Sequence, residues 1–224
     1  MTGRRARGGR PRAGVLTAAL TALLALTLAG CSITFGDPDD DGASTTTGGD
    51  GTSSGTGTTT IDQIQEGEPM RWDVSTPISA ESVGLGESMA VVDLPGGEAE
   101  VELTLPGGVW STTAEELTVE PRRGHVSTIN VFRTLSGGQA VHDQLVADAD
   151  VLGFPVDRID RWLADDLPAS LAESQAGGTR ARTGINGNSG DVVTSVQISH
   201  EPGPGGDEAI RLWYVVRPVT PDDE

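Results

Sequence analysis

The one thiol in the 224-residue chain is Cys31, and any chemistry that needs a strong side-chain nucleophile falls to it. The remaining candidates are weaker. His125, His142 and His200 are far apart, form no HExxH pattern and have no second cysteine to complete a zinc set, so no metal site is expected. Asn186–Asp191 has the oxygen donors and glycines of a calcium loop but lacks its alternating acids and terminal glutamate; it reads as a hairpin turn. The paired carboxylates Glu115-Glu116 and Asp165-Asp166 are sequence neighbours, whose side chains point apart on a strand or helix, so neither pair makes a two-carboxylate site. No Gly-x-Ser-x-Gly elbow stands between a strand and a helix, and no phosphate-binding or dinucleotide fingerprint occurs. The expectation is a protein without catalytic residues and without a cofactor.

Cys31 closes an unusual segment. Arg4, Arg5, Arg7, Arg10 and Arg12 precede fourteen residues, Val15 to Leu28, made only of Val, Leu, Ala and Thr. This is the charged-then-apolar layout of an export signal. Leu28-Ala29-Gly30-Cys31 follows, and it resembles, position for position, the lipobox of bacterial lipoproteins. The resemblance implies diacylglyceryl transfer to the Cys31 thiol, cleavage after Gly30, and anchoring on the extracytoplasmic side of the cell membrane. One acyl chain holds a protein only marginally, whereas two or three, at roughly 0.8 kcal/mol per buried methylene, make a stable anchor. An uncleaved signal anchor over Ala13–Gly36 is the competing reading; four threonines, a serine and three glycines in that window weigh against it.

Composition agrees with a displayed protein. From Cys31 onward ten arginines face 33 acidic residues, and no lysine occurs anywhere. Such a charge opposes nucleic-acid binding, which is driven by neutralising phosphates. The arginine-only usage, with abundant Ala, Gly, Asp, Val and Thr, suggests a GC-rich genome; with the lipobox, the chain resembles an actinobacterial cell-surface lipoprotein. The sole cysteine is committed to lipid, so the domain must be stable without disulfides.

Three regions follow: a signal peptide over 1–30, a lipidated tether over 31–60 and one domain over 61–224. Gly42–Thr60 is Gly, Ser and Thr apart from Ala43 and Asp50, a composition unable to bury apolar surface. The 24 residues from Asp37 to Thr60 would span about 27 Å as a flexible coil. The domain's 164 residues are enough for a single core.

Within the domain, 61–87 reads as irregular and extended, with Trp72 packing back on the core. Ser88–Leu94 and Ala99–Leu105 read as a hairpin across Pro95-Gly96-Gly97; the second run alternates apolar residues with glutamates. Strands are expected near Val109–Thr112, Leu117–Glu120 and His125–Thr134, in a meander. Ser136-Gly137-Gly138-Gln139 fits a capping box, Val141, Leu145, Ala149 and Leu152 recur at helical spacing, and Gly153 fits a left-handed C-cap. A second helical stretch starts near Asp157, places Ile159, Trp162, Leu163 and Leu167 on one face, and should break at Pro168. Thr179–Thr183 is expected to pair with Asp191–His200 across the turn-rich segment Gly184–Gly190, where the Asn186-Gly187 dipeptide favours a turn. The last strand, Ala209–Arg217, sends Ile210, Leu212, Tyr214 and Val216 one way and Arg211, Trp213, Val215 and Arg217 the other. The expected fold is α+β: one antiparallel sheet of about five to six strands with a helical pair packed on one face.

Six of the ten arginines cluster as Arg122-Arg123, Arg180-x-Arg182, and Arg211 with Arg217. Trp213 lies between the last two, and Trp and Arg are enriched at interface hot spots, so Arg211, Trp213 and Arg217 form the candidate partner surface. The sequence thus points to a non-enzymatic, lipid-anchored protein that binds an envelope protein or cell-wall component. Two rivals are a carrier of a small apolar molecule between sheet and helices, and a hydrolase with a scattered site. Labelled palmitate fed to cells expressing the full chain should enter the protein and be lost in Cys31→Ala; label retained by that variant refutes lipidation at Cys31.

Overall fold

The computed structural model describes residues 57–176, 182–203 and 205–221, which belong to a compact unit assigned to Ser53–Glu224. Leu28, Ala29, Gly30, Cys31 and most of the tether lie outside the described residues, as do Thr179, Arg180 and Ala181 of the strand expected to start at Thr179. The architecture is α+β, with two sheets rather than one. β1 (Met70–Asp73), β3 (Ala99–Leu105) and β4 (Gly108–Ala114) form the smaller sheet. β2 (Ala90–Val92), β5 (Glu116–Arg122), β6 (His125–Leu135), β7 (Arg182–Ser189), β8 (Val192–His200) and β9 (Ile210–Arg217) form the larger. Its order is β2-β5-β6-β9-β8-β7, antiparallel throughout. In the small sheet β1 runs parallel to β3.

The alternation in β3 does what its period demands: Val101, Leu103 and Leu105 are buried, and Glu100, Glu102 and Thr104 are exposed. Its partners differ from the expected ones. The run around Ala90 pairs with β5, not with β3, so the hairpin across Pro95–Gly97 does not exist. β3 instead turns at Pro106-Gly107 into β4, with Leu105 opposite Gly108. The meander also divides. β4 ends in the small sheet, and one residue later β5 begins in the large one, where the Glu115 amide already donates to the Phe132 carbonyl at 2.8 Å.

The segment read as irregular is partly ordered. Thr60 caps a one-turn helix, α1 (Ile61–Gln65), in a reciprocal capping box with Gln63. Thr59, assigned by composition to the tether, is buried: its hydroxyl donates to the Pro69 carbonyl at 2.9 Å, and its carbonyl accepts from Trp72 Nε1. Trp72 is buried, as expected.

α2 (Gly138–Leu152) turns Val141, Leu145, Ala149 and Leu152 inward and ends on left-handed Gly153. Its start differs from expectation: Gly137 is the N-cap, and no side chain caps it. A Cβ on Gly138 would lie 2.4 Å from a Leu167 methyl, so close packing governs that end. α3 (Val156–Arg161) and α4 (Leu167–Gln175) are joined without a break by a π turn over Trp162–Asp166. Pro168 has no amide to donate, and the widened turn absorbs this, the Leu167 amide reaching back to the Trp162 carbonyl. Ile159, Trp162 and Leu167 all remain buried.

β7 and β8 turn at Gly190-Asp191, with Ser189 opposite Val192, so Asn186-Gly187 lies inside a strand. Gly187 serves close approach instead of a turn. A Cβ there would stand 2.5 Å from the Leu152 carbonyl oxygen, at the end of α2. Val192, Thr194, Val196 and Ile198 share the buried face of β8 as read.

Helices and small sheet both cover the same face of the large sheet. Asp148, on α2, is the point where they meet. It accepts from Trp110 Nε1 of β4 at 3.0 Å, from Gln144 Nε2 at 2.9 Å and from Tyr214 Oη of β9 at 2.8 Å. Burial pushes its carboxyl above the ordinary aspartate range, opposed by the bonds from Tyr214, Trp110 and Gln144 and by the charge of Arg133. Tyr214→Phe, which keeps the ring and removes one of these donors, should cost about 1–2 kcal/mol in urea unfolding near neutral pH with an unchanged m-value. A variant as stable as the parent would show that the Asp148 network does not hold the layers.

Candidate functional site

The opposite face of the large sheet carries no helix among the described residues, and the alternation in β9 determines what it shows. Ile210, Leu212, Tyr214 and Val216 are buried inward; Arg211, Trp213, Val215 and Arg217 face outward, as the sequence implied. Strand register then selects their neighbours. Trp213 sits between Phe132 of β6 and Gln197 of β8, while Arg211 lies between Thr134 and Ser199. Arg182 of β7 stands across from Ser199, and Gly184 across from Gln197.

These residues form an ordered cluster. The Phe132 and Trp213 rings stack with centroids 5.5 Å apart and planes 20° from parallel. The Arg211 guanidinium lies over the Phe132 ring, 4.7 Å from its centroid, and donates to the Glu116 carboxylate. Trp213 Nε1 donates to Asn130 Oδ1 at 2.9 Å. Asn130, only 4% exposed, is itself held by donating to Thr118 Oγ1 at 3.0 Å and Glu120 Oε1 at 3.2 Å. The indole is therefore fixed from beneath. Beside it Phe132, Arg182, Gln197, Ser199, Arg211 and Trp213 line a depression of about 240 Å³.

No family model matches the chain, and no curated protein or solved structure matches it.

Of the three residues expected to form the partner surface, Arg211 and Trp213 come together and Arg217 does not. Arg217 shares their face but lies six residues from Arg211, about 20 Å along the strand, opposite the exposed Val193. Phe132 and Arg182 take its place. The signal for Phe132 was its position, one residue from the buried Val131 and so on the other face.

Most of the other candidates are engaged structurally. Glu115 accepts from the Thr134 amide at 2.9 Å and the Thr134 hydroxyl at 2.8 Å, Glu116 pairs with Arg211, and Asp166 pairs with Arg158 at 3.2 Å. No cluster of His, Cys, Asp or Glu suited to a metal ion occurs among the described residues. His125 lies 3.1 Å from the Arg123 carbonyl. His200 makes a closer contact, its Nε2 2.6 Å from Ser170 Oγ and its Nδ1 2.9 Å from the Glu201 carbonyl. A carbonyl only accepts, so Nδ1 carries a proton, and in the neutral ring Nε2 then accepts from the serine. That is the proton arrangement of an activated serine. Ser170, however, lies within α4, where backbone amides are spent on carbonyls four residues back, and His200 is 4% exposed. The contact ties the end of β8 to α4.

His142 links α2 to α3. Its Nε2 lies 2.9 Å from Asp160 and its Nδ1 3.2 Å from Asp143. The bond to Asp160 raises its pKa above the ordinary histidine value, against a smaller opposing effect of burial. The folded state thus holds this proton more tightly than the unfolded state. The contact stabilises fully below the unfolded pKa, about 6.5, and its contribution is lost as pH rises through the raised folded value. The stability advantage of the parent over Asp160→Asn should therefore shrink between about pH 6 and pH 8. An advantage independent of pH would mean the pair is not ionic.

Proposed function

We propose that this protein is a lipid-anchored extracytoplasmic lipoprotein, held by diacylglyceryl on Cys31, whose domain binds an envelope protein or cell-wall component without catalysis. The observation that carries the reading is the Trp213–Phe132 stack, fixed on the buried Asn130 on the sheet face opposite the helices. A buried asparagine spent on orienting a half-exposed indole gives a rigid aromatic anchor, which loses little freedom on binding. The point of entry fits as well. Thr59 bonds to Arg71 of β1, so the described chain enters the domain in the layer opposite this face. Among the described residues no helix is long and apolar enough to cross a membrane.

The apolar-carrier reading needs space between sheet and helices. Leu145, Ile159, Val196 and Tyr214 are fully buried there, and the Asp148 carboxyl bonds to Tyr214 in the same layer. Close packing around a carboxylate favours partner binding over carriage.

A photoreactive amino acid at Gln197 in the full chain, activated on intact cells, should give discrete adducts, and one at Glu100 on the small sheet should not. Equal or absent adducts at both positions would overturn the assignment of this face.

A further inference from the structure

The depression beside Trp213 has a chemistry narrower than a general docking surface. Its walls are an indole, a phenyl ring, a primary amide, a hydroxyl and two guanidinium groups, within about 240 Å³. The charges are unequal. Arg211 is neutralised by Glu116, whereas Arg182 is exposed and has no ion-pair partner among the described residues. Arg182 therefore presents one guanidinium without an ion pair at the edge of the depression, in a chain where acids outnumber bases by 33 to 15. A single carboxylate matches this charge; a phosphate dianion exceeds it. A guanidinium binds a carboxylate bidentately, in the plane of both groups.

The uncharged walls add the rest of the specificity. Gln197 offers a donor and an acceptor, Ser199 both from one hydroxyl, which suits a ligand dense in hydroxyl groups. The aromatic pair offers an apolar platform whose geometry is already set by Asn130. Gly184, next to Gln197, has nothing within 4 Å of where a Cβ would stand, so the depression opens along the sheet toward further ligand. An acidic peptide side chain would use the arginine and leave the platform, amide and hydroxyl without a role.

We propose that this depression is a subsite for an acidic saccharide: one sugar ring packs on the Trp213–Phe132 platform, its carboxylate pairs with Arg182, and its hydroxyls bond to Gln197 and Ser199. The proposal rests on the outer face being the binding surface, and names the class of its partner.

The full chain in detergent micelles would be titrated with trigalacturonate, with maltotriose and tetraglutamate peptide as neutral and acidic-peptide controls. Tryptophan fluorescence reports on the site, because Trp72, Trp110 and Trp162 are each 2% exposed and Trp213 is half-buried. Trigalacturonate should change the emission saturably, at least tenfold more tightly than either control. Arg182→Gln, an exposed substitution that should leave the melting temperature in place, should weaken it at least tenfold. No saturable change, equal binding of tetraglutamate, or an unaltered Arg182→Gln variant would each overturn the saccharide assignment. Adducts at Gln197 on cells alongside a failed titration would remove only the saccharide class, whereas loss of those adducts would remove the binding face itself.

Discussion

The structure depends on one buried carboxylate. Asp148 receives hydrogen bonds from a tryptophan of the small sheet, a glutamine of its own helix and a tyrosine of the large sheet, so three layers share a single acceptor group. Burying it costs free energy, seen in the upward displacement of its pKa, and only a full set of donors offsets that cost. Arg133 extends the network by donating to Thr112 at 2.8 Å and Gln144 at 3.3 Å. Trp110 and Tyr214, brought together over the carboxylate, also touch through their rings at 5.0 Å. A displacement of any layer would break bonds to the other two, which gives the fold its register without a disulfide.

Backbone contacts reinforce that register. The last turn of α2 presses on β7, where Gly153 and Gly187 leave room for main chain against main chain, and Gly107 of the β3–β4 turn accepts the same crowding from Val151. Side chains at these positions would force the helix off the sheet. With the inward face occupied in this way, the outward face of β6, β9 and β8 is left to carry Phe132, Trp213 and their polar neighbours. The tight interior and the open surface are two consequences of the same alternation in the strands.

Elements whose signal is local were legible. The amphipathic spacing of α2, its glycine C-cap and the alternation of β3, β8 and β9 depend on residues within a few positions of one another, and each matches the structure. Elements whose outcome depends on distant partners were not. Ala90–Val92 and Ala99–Leu105 have the composition of a hairpin, but β5 offers an edge to the first and β1 and β4 flank the second. Asn186-Gly187 has the composition of a turn, but the end of α2 takes the space beside it. Capping chemistry moved too: the Ser136 pattern goes unused while Thr60 and Gln63 form the box, since five residues of helix there have a buried pair, Ile61 and Ile64, to hold them.

The same division runs through the candidate site. The sequence by itself determined that Arg211 and Trp213 share one face of the last strand, because successive side chains on a strand alternate sides. It also determined the charge, the single thiol and the Leu28–Cys31 pattern on which the anchoring proposal rests. Only the tertiary structure decided that the helices cover the Tyr214 face, that Phe132 rather than Arg217 lies beside the indole, and that Arg182 arrives from a strand at the sheet edge. Those outcomes follow from the register in which β6, β9, β8 and β7 pair side by side although β6 is far from the others in the chain, a register set by packing and hydrogen bonding that no local pattern encodes.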